Sequence, residues 1–154
     1  MAVEVGQLAP DFELRDQYGA THRLSDLRGS RNVVLVFYPY AFTPTCTGEL
    51  DAIRDERADF DNEDVVTFGV SCDPVASLKV FAERESLGYS LLSDFWPHGA
   101  VSRQYGVFLE EKGFATRGTF VIDKAGVVRW SVLHGPSEAR SNDDYRAALA
   151  ALGA

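Results

Sequence analysis

The sequence predicts an α/β sandwich built on a central mixed β-sheet, and three observations carry that expectation. Val33 to Tyr38 is a continuous β-branched and aromatic run, as a strand covered on both faces reads, and Val65 to Ser71 reads as the next buried strand. Each is followed by a helical stretch, so right-handed crossovers should set these strands parallel. Further on, Gly118 to Asp123 and Val127 to Leu133 flank Lys124-Ala-Gly126, the mark of an antiparallel hairpin. With 154 residues, 45% hydrophobic and 25% charged, the chain reads as one domain, residues 1–154, with an ordinary buried core.

Taken in order, Phe12 to Arg15 reads as a short strand, closed by a turn at Tyr18-Gly19. Arg23 to Leu27 is a second short extended piece or a turn. After the strand Val33 to Tyr38, a helix opens at Thr45 or Cys46 and runs to about Phe60, with Leu50, Ala52, Ile53 and Ala58 only loosely periodic. Val65 to Ser71 leads to Pro74, suited to the first turn of a helix that reaches Ser86. Leu91 to Asp94 is a short strand with its exit loop, and Gly99 to Tyr105 a short helix closed by Gly106. The hairpin follows. Asn142 to Leu152 closes the chain as a helix whose first turn carries Asp143 and Asp144, where the helix dipole favours negative charge. There is no internal repeat, low-complexity tract or linker.

The net charge of −8 and pI near 4.8 argue against nucleic acid or an anionic membrane as partner. Seven acidic residues between Asp51 and Asp64 are met by only two arginines, which reads as a solvated helix face. No apolar run reaches the ~20 residues that span a bilayer. Met1-Ala-Val-Glu-Val-Gly6 lacks a basic region followed by an apolar one, so the expected location is the cytoplasm. Two cysteines, Cys46 and Cys72, do not make a disulfide scaffold. His22, His98 and His134 are scattered, so no metal or other cofactor is expected.

The chemistry concentrates in Pro39-Tyr-Ala-Phe-Thr-Pro-Thr-Cys46, which joins a buried strand to a helix. A thiol in a first helical turn sits against unpaired N–H groups and the positive end of the dipole, and both favour the reactive thiolate. The plain alternative for Cys46 is a small buried hydrophobe. Thr43 lies where a thioredoxin-type motif would carry its other cysteine. A hydroxyl there can donate to a thiolate and accept from a peroxide O–H, which shifts the chemistry from disulfide exchange to peroxide reduction. Its plain alternative is a helix N-cap. Pro39 brings a rigid ring and no donor, a wall for a dry pocket.

Pro39, Thr43 and Cys46 fit the Pro-x-x-x-Thr-x-x-Cys pattern, and on it the chain resembles the peroxiredoxins. Ala9-Pro-Asp-Phe-Glu-Leu14, Gly69-Val-Ser-Cys-Asp-Pro74 and Arg117-Gly-Thr-Phe-Val-Ile-Asp123 resemble further segments of that family in the same order. Leu92-Ser-Asp-Phe-Trp-Pro-His-Gly-Ala-Val101 is similar to the alkyl hydroperoxide reductase E subgroup. The resemblance implies a thioredoxin-like sandwich with peroxiredoxin-type N-terminal strands. It also implies a cysteine peroxidase acting on hydrogen peroxide, organic hydroperoxides or peroxynitrite through a Cys46 sulfenic acid.

It makes Arg117 the cation beside Cys46, although by itself Arg117 reads as a solvated strand-end residue. It makes Glu49, three residues along the helix from Cys46, the group that orients that arginine; the plain alternative is complementation of the dipole. It further implies a one-cysteine cycle recycled by an external thiol, of the mycothiol and mycoredoxin type or a thioredoxin-like protein. No cysteine follows Asn142 to act as a resolving thiol. Cys72 ends the strand beside the one leading to Cys46, which makes it a candidate resolving cysteine at the same sheet edge; its plain reading is a buried structural residue. The loop aromatics Phe42, Phe95 and Trp96, with Pro97 and His98, suggest a homodimer surface of the kind the family uses.

Three alternatives stand beside this reading: a thiol-disulfide oxidoreductase, a non-enzymatic redox sensor, and a structural module with an ordinary thiol. Sustained peroxide turnover separates the enzyme from all three.

Overall fold

A computed structural model of the chain describes residues 3–135 and 138–152. The first and last residues, on which the readings of the N-terminal segment and of the C-terminal end rest, lie outside the described residues. Among the described residues nine strands and five α-helices follow one another: β1 (Glu13–Arg15), β2 (Thr21–Arg23), β3 (Asn32–Phe37), α1 (Pro44–Asp55), α2 (Arg57–Phe60), β4 (Val65–Ser71), α3 (Val75–Glu85), β5 (Ser90–Ser93), α4 (Ala100–Gln104), β6 (Phe108–Leu109), β7 (Phe114–Ala115), β8 (Arg117–Ile122), β9 (Val128–His134) and α5 (Asn142–Leu152). Seven strands form one mixed sheet in the order β2-β1-β5-β4-β3-β8-β9. As predicted, β3 and β4 are parallel, β4 and β5 are parallel, and β8 and β9 form an antiparallel hairpin.

The central strands are buried along nearly their whole length, which explains their unbroken apolar sequences. Their side chains alternate between two cores. Val34, Val36 and Tyr38 pack with Cys46, Leu50 and Ile53 of α1, Leu78 and Phe81 of α3, and Tyr145 of α5. Val33, Leu35 and Phe37 face the other way, toward Phe12, Val101 and Tyr105. Gly69 is the close-approach point of the first core. A Cβ there would lie 2.8 Å from Leu91 Cδ2 and 3.2 Å from Tyr38 Cε1.

The structure differs from the sequence reading in four places. The second short extended piece is centred earlier, on β2, because the register pairs Leu14 with His22. Of the two readings of Arg23 to Leu27 the turn holds there: Leu24–Leu27 is a 3-10 turn that buries Leu24. The long helix after Cys46 breaks at Glu56, whose φ of −121° and ψ of 31° are not helical. It starts slightly earlier than expected, with Thr43 as N-cap and Pro44 at the first helical position, where a missing N–H costs nothing. Between α4 and β8 runs an extra two-stranded ribbon, β6–β7, pairing Phe108 with Ala115 and Leu109 with Phe114. Its strands are too short for any periodicity to announce them.

Candidate active site

The site lies where β3 gives way to α1. Pro39 is buried at the exit of the strand, and Ala41 is 6% exposed. Phe42 takes φ +72°, a left-handed conformation unusual for an aromatic residue. Thr43 then caps α1 from an extended conformation. Its hydroxyl does not cap the helix. It donates to the Tyr40 carbonyl at 3.0 Å, which leaves its oxygen lone pairs to accept. Thr43 is thus the N-cap by position and backbone, its carbonyl accepting the Thr47 N–H at 2.9 Å, while its side chain braces the loop.

Cys46 occupies the third position of α1 and is fully buried. On the same stripe of the helix lie Glu49, Leu50 and Ile53, all buried. The last two anchor the helix to the sheet, each contributing about 1.5–3 kcal/mol of apolar burial. The stripe thus carries a thiol and a carboxylate in register with its anchors.

β8 supplies the cation. Arg117, 2% exposed, is the first residue of that strand and points to the α1 face. Its Nη2 donates to the Cys46 sulfur at 3.2 Å. Its Nη1 donates to Glu49 Oε1. The solvated strand-end alternative for Arg117 is therefore excluded by its burial, and the same guanidinium bridges Glu49 and the Cys46 sulfur.

Arg140 completes the cluster and was not legible in the sequence. It follows β9 in a loop, and its side chain is 1% exposed. Its backbone N–H and Nε donate to Glu49 Oε2 at 2.6 and 2.9 Å, and its Nη2 to Oε1 at 2.9 Å. Its Nη1 donates to the Gly118 carbonyl and the Thr119 hydroxyl, both at 3.0 Å. Burial alone would raise the Glu49 carboxyl. Hydrogen bonds from Arg140 and the charges of both arginines outweigh it and hold Glu49 below the ordinary glutamate range. One ionised carboxylate is thereby clamped between two arginines, one of which also faces the thiol.

Cys72 shares the sheet edge with this site but not its face. Val66, Phe68 and Val70 of β4 belong to the core opposite Cys46, and Cys72 comes next in that alternation. Its polar neighbours are Asp94, Ser102, Asp73 and Arg103. Asp94, 1% exposed, accepts from the N–H groups of Val101 and Ser102 and from the Ser102 hydroxyl. Burial, with the negative charge of Asp94, pushes the Cys72 thiol up to about 12.

The loop aromatics are split. Phe95, Trp96, Phe42 and Tyr40 are 47%, 80%, 42% and 43% exposed. His98, by contrast, turns inward and donates from Nε2 to the Gly113 carbonyl at 2.7 Å, tying the loop to the β6–β7 ribbon. Among the described residues no group of three or more His, Cys, Asp or Glu is arranged to hold a metal, and no helix is long and apolar enough to cross a membrane.

A sheet flanked by helices, with an arginine-faced thiol at the first turn of the helix after a central strand, defines a thiol peroxidase on a thioredoxin-like framework. Comparison with known proteins narrows the class. A sequence profile of the AhpC/TSA family matches residues 5–131, and the chain belongs to that family. Alkyl hydroperoxide reductase E of Mycobacterium tuberculosis and of Mycobacterium bovis is 47% identical over 150 residues, covering 97% of this chain and 98% of each relative. The chain is thus an AhpE-like peroxiredoxin, a thiol-dependent peroxidase. A chloroplastic 2-Cys peroxiredoxin of Arabidopsis thaliana, BAS1, is 35% identical, and the match covers 59% of its length. The crystal structure of peroxidoxin BcpB from Mycobacterium tuberculosis superposes with a TM-score of 0.83 at 37% identity, covering 97% of both chains. AhpC of the same organism shares the fold, with a TM-score of 0.87 at 22% identity.

Proposed function

We propose that this protein reduces hydrogen peroxide and organic hydroperoxides through Cys46 and is regenerated by an external thiol. The observation that carries the reading is the contact of Arg117 Nη2 with Cys46 Sγ at 3.2 Å, beneath a helix start. The Cys46 thiolate attacks one peroxide oxygen and the O–O bond breaks. The sulfur keeps that oxygen as a sulfenic acid. The other oxygen leaves as hydroxide or alkoxide and takes up a proton, giving water or alcohol. Negative charge grows on the departing oxygen, where the Arg117 guanidinium and the orphan N–H groups of Thr45 and Cys46 stand ready to receive it. Thr43 is assigned to accept the peroxide O–H, Pro39 to wall the pocket, and Glu49 with Arg140 to hold Arg117 in place. Organic hydroperoxides are favoured by the name of the mycobacterial relatives; peroxynitrite follows from the same nucleophile.

A reducing thiol then condenses with the sulfenic acid, releasing water and leaving a mixed disulfide. A second thiol displaces Cys46 from that disulfide. The assigned reductant is a low-molecular-weight thiol with a mycoredoxin-type protein, or a thioredoxin-like protein, in the cytoplasm. Cys72 is not assigned the resolving role, because it faces the opposite core. The exposed Phe42, Phe95 and Trp96 support a homodimer through these loops, which sedimentation of the Trp96→Glu variant tests.

Peroxide consumption with a supplied reductant tests the central claim. The parent and a Cys72→Ser variant should turn over, and Cys46→Ser should not. Continued turnover by Cys46→Ser would refute it.

A further inference from the structure

The loop Pro39–Thr43 has no regular structure of its own, yet it must hold Thr43 and the start of α1 within a fraction of an ångström. Tyr40 of the loop packs edge-on to Phe114 of β7, with centroids 4.6 Å apart, and the loop's other restraints come from the connection between β4 and α3 and from α3 itself. Asp73 Oδ2 accepts the Ala41 N–H at 2.9 Å and the Ser71 hydroxyl at 2.7 Å. The Asp73 carbonyl in turn accepts the Ser93 hydroxyl at 2.6 Å, fixing Asp73 to the end of β5. One residue beyond Ala41, the left-handed Phe42 sets its ring edge-on to Phe81 of α3, with centroids 5.1 Å apart. The Arg84 guanidinium lies 4.8 Å from the Phe42 ring centroid. Asp73 neighbours Cys72, but neither it nor Arg84 is among the residues assigned above to touch peroxide or the Cys46 thiol.

We infer that Asp73 is a positioning residue for peroxide reduction: its carboxylate latches the Pro39–Thr43 loop through the Ala41 N–H and so sets Thr43 over Cys46. The inference rests on the peroxidase reading of Cys46 and goes beyond it, because it separates reactivity toward peroxide from reactivity of the thiolate as such. Peroxide needs the loop, since Pro39 and Thr43 meet the substrate. An alkylating agent needs only the thiolate, which Arg117 and the helix start hold from the other side. The carboxylate is braced by the Ser71 hydroxyl and the backbone around it by Ser93, so an acceptor at position 73 is preorganised for the loop.

The test compares two second-order rate constants in a Cys72→Ser background: oxidation of Cys46 by hydrogen peroxide and its alkylation by iodoacetamide. Asp73→Ala should slow peroxide by about 10- to 100-fold, the scale of a misplacement near 1 Å, and change alkylation by less than about twofold. Asp73→Asn keeps an oxygen acceptor for the Ala41 N–H and should restore most of the peroxide rate. Thermal melts of both variants report whether they are folded. The inference is overturned if folded Asp73→Ala reacts with peroxide within about threefold of the parent. It is equally overturned if both rates fall by the same factor, or if Asp73→Asn is as slow as Asp73→Ala. If the parent itself is no faster with peroxide than a free thiol, the peroxidase reading of Cys46 falls and this inference with it.

Discussion

Replacing Arg117 by methionine removes the donor on the Cys46 sulfur while keeping an unbranched side chain in a position only 2% exposed. Losing one preorganised donor aimed at developing charge costs about 10²–10³ in rate, or about 2.7–4 kcal/mol. Arg117 should stand at the upper end, because its Nη2 reaches the sulfur at 3.2 Å inside a water-poor site. The fold should lose less. Glu49 does not become an orphan in this variant, since the Arg140 N–H, Nε and Nη2 still donate to it at 2.6, 2.9 and 2.9 Å. The cost to stability is thereby kept near that of an ordinary core change, about 1–3 kcal/mol. Stopped-flow oxidation of Cys46 by hydrogen peroxide, with a thermal melt of the same sample, separates the two effects. A cooperatively folded Arg117→Met protein that reacts within threefold of the parent would refute the assignment of Arg117 to the transition state.

Glu49→Ala should behave in the opposite way, losing stability as well as rate. It abandons two buried guanidiniums at once, with side chains 2% and 1% exposed, and breaking a buried pair in this manner costs about 3–5 kcal/mol. Because the Glu49 carboxyl is held below the ordinary glutamate value of 4.5, its contribution is fully present above that pH and fades only as pH falls through the lower folded value. The melting gap between parent and variant should therefore close in strong acid alone, and a gap that closes near pH 6 counts against the clamp. Asp51 carries the reverse sign. Burial and the facing Glu85 push its carboxyl up to about 6, against the nearby positive charge of Arg54 and with Asp55 on the same helix adding to the rise. Its favourable contribution is complete below 3.8 and lost as pH rises through about 6. Asp51→Asn should thus raise the melting temperature at pH 7.5 and leave it unchanged at pH 4; an equal gain at both would refute the titration. For Cys72, whose thiol is pushed up to about 12, iodoacetamide at pH 8 should label Cys46 and spare Cys72. Mass spectrometry after one equivalent of peroxide should find sulfenic acid or a mixed disulfide on Cys46, and a quantitative Cys46–Cys72 disulfide would overturn the one-cysteine cycle.

The sheet and its crossovers were legible because strands buried on both faces leave an apolar run, unbroken in Val33 to Tyr38 and interrupted by Thr67 and Gly69 in Val65 to Ser71. The proposed nucleophile was legible because a strand, a proline-containing loop and a helix start are consecutive in sequence. The periodicity of α1 was not, and the reason is physical. Its buried stripe runs Cys46, Glu49, Leu50, Ile53, a regular i, i+3, i+4, i+7 pattern in which one member is a carboxylate. A search for apolar spacing sees a gap at Glu49, although the residue is 7% exposed. The gap is the site showing through the pattern.

Arg117 and Arg140 mark the limit of that kind of reading. Local sequence gives each of them the look of a surface residue: one at a strand end, the other among small polar residues in a loop. What makes them buried is a partner far away in the chain, and that partner is the same for both. Glu49 reaches Arg117 because β8 lies next to β3, and reaches Arg140 because the chain after β9 folds back over α1. Neither arginine would be tolerated in this core without the carboxylate, and the carboxylate would not stay ionised there without them. The charge that faces Cys46 is therefore a property of three residues brought together by the sheet order. It is also local: a protein of net charge −8 holds a buried cluster with one more positive than negative side chain, Arg117 and Arg140 against Glu49, directly beside its thiol.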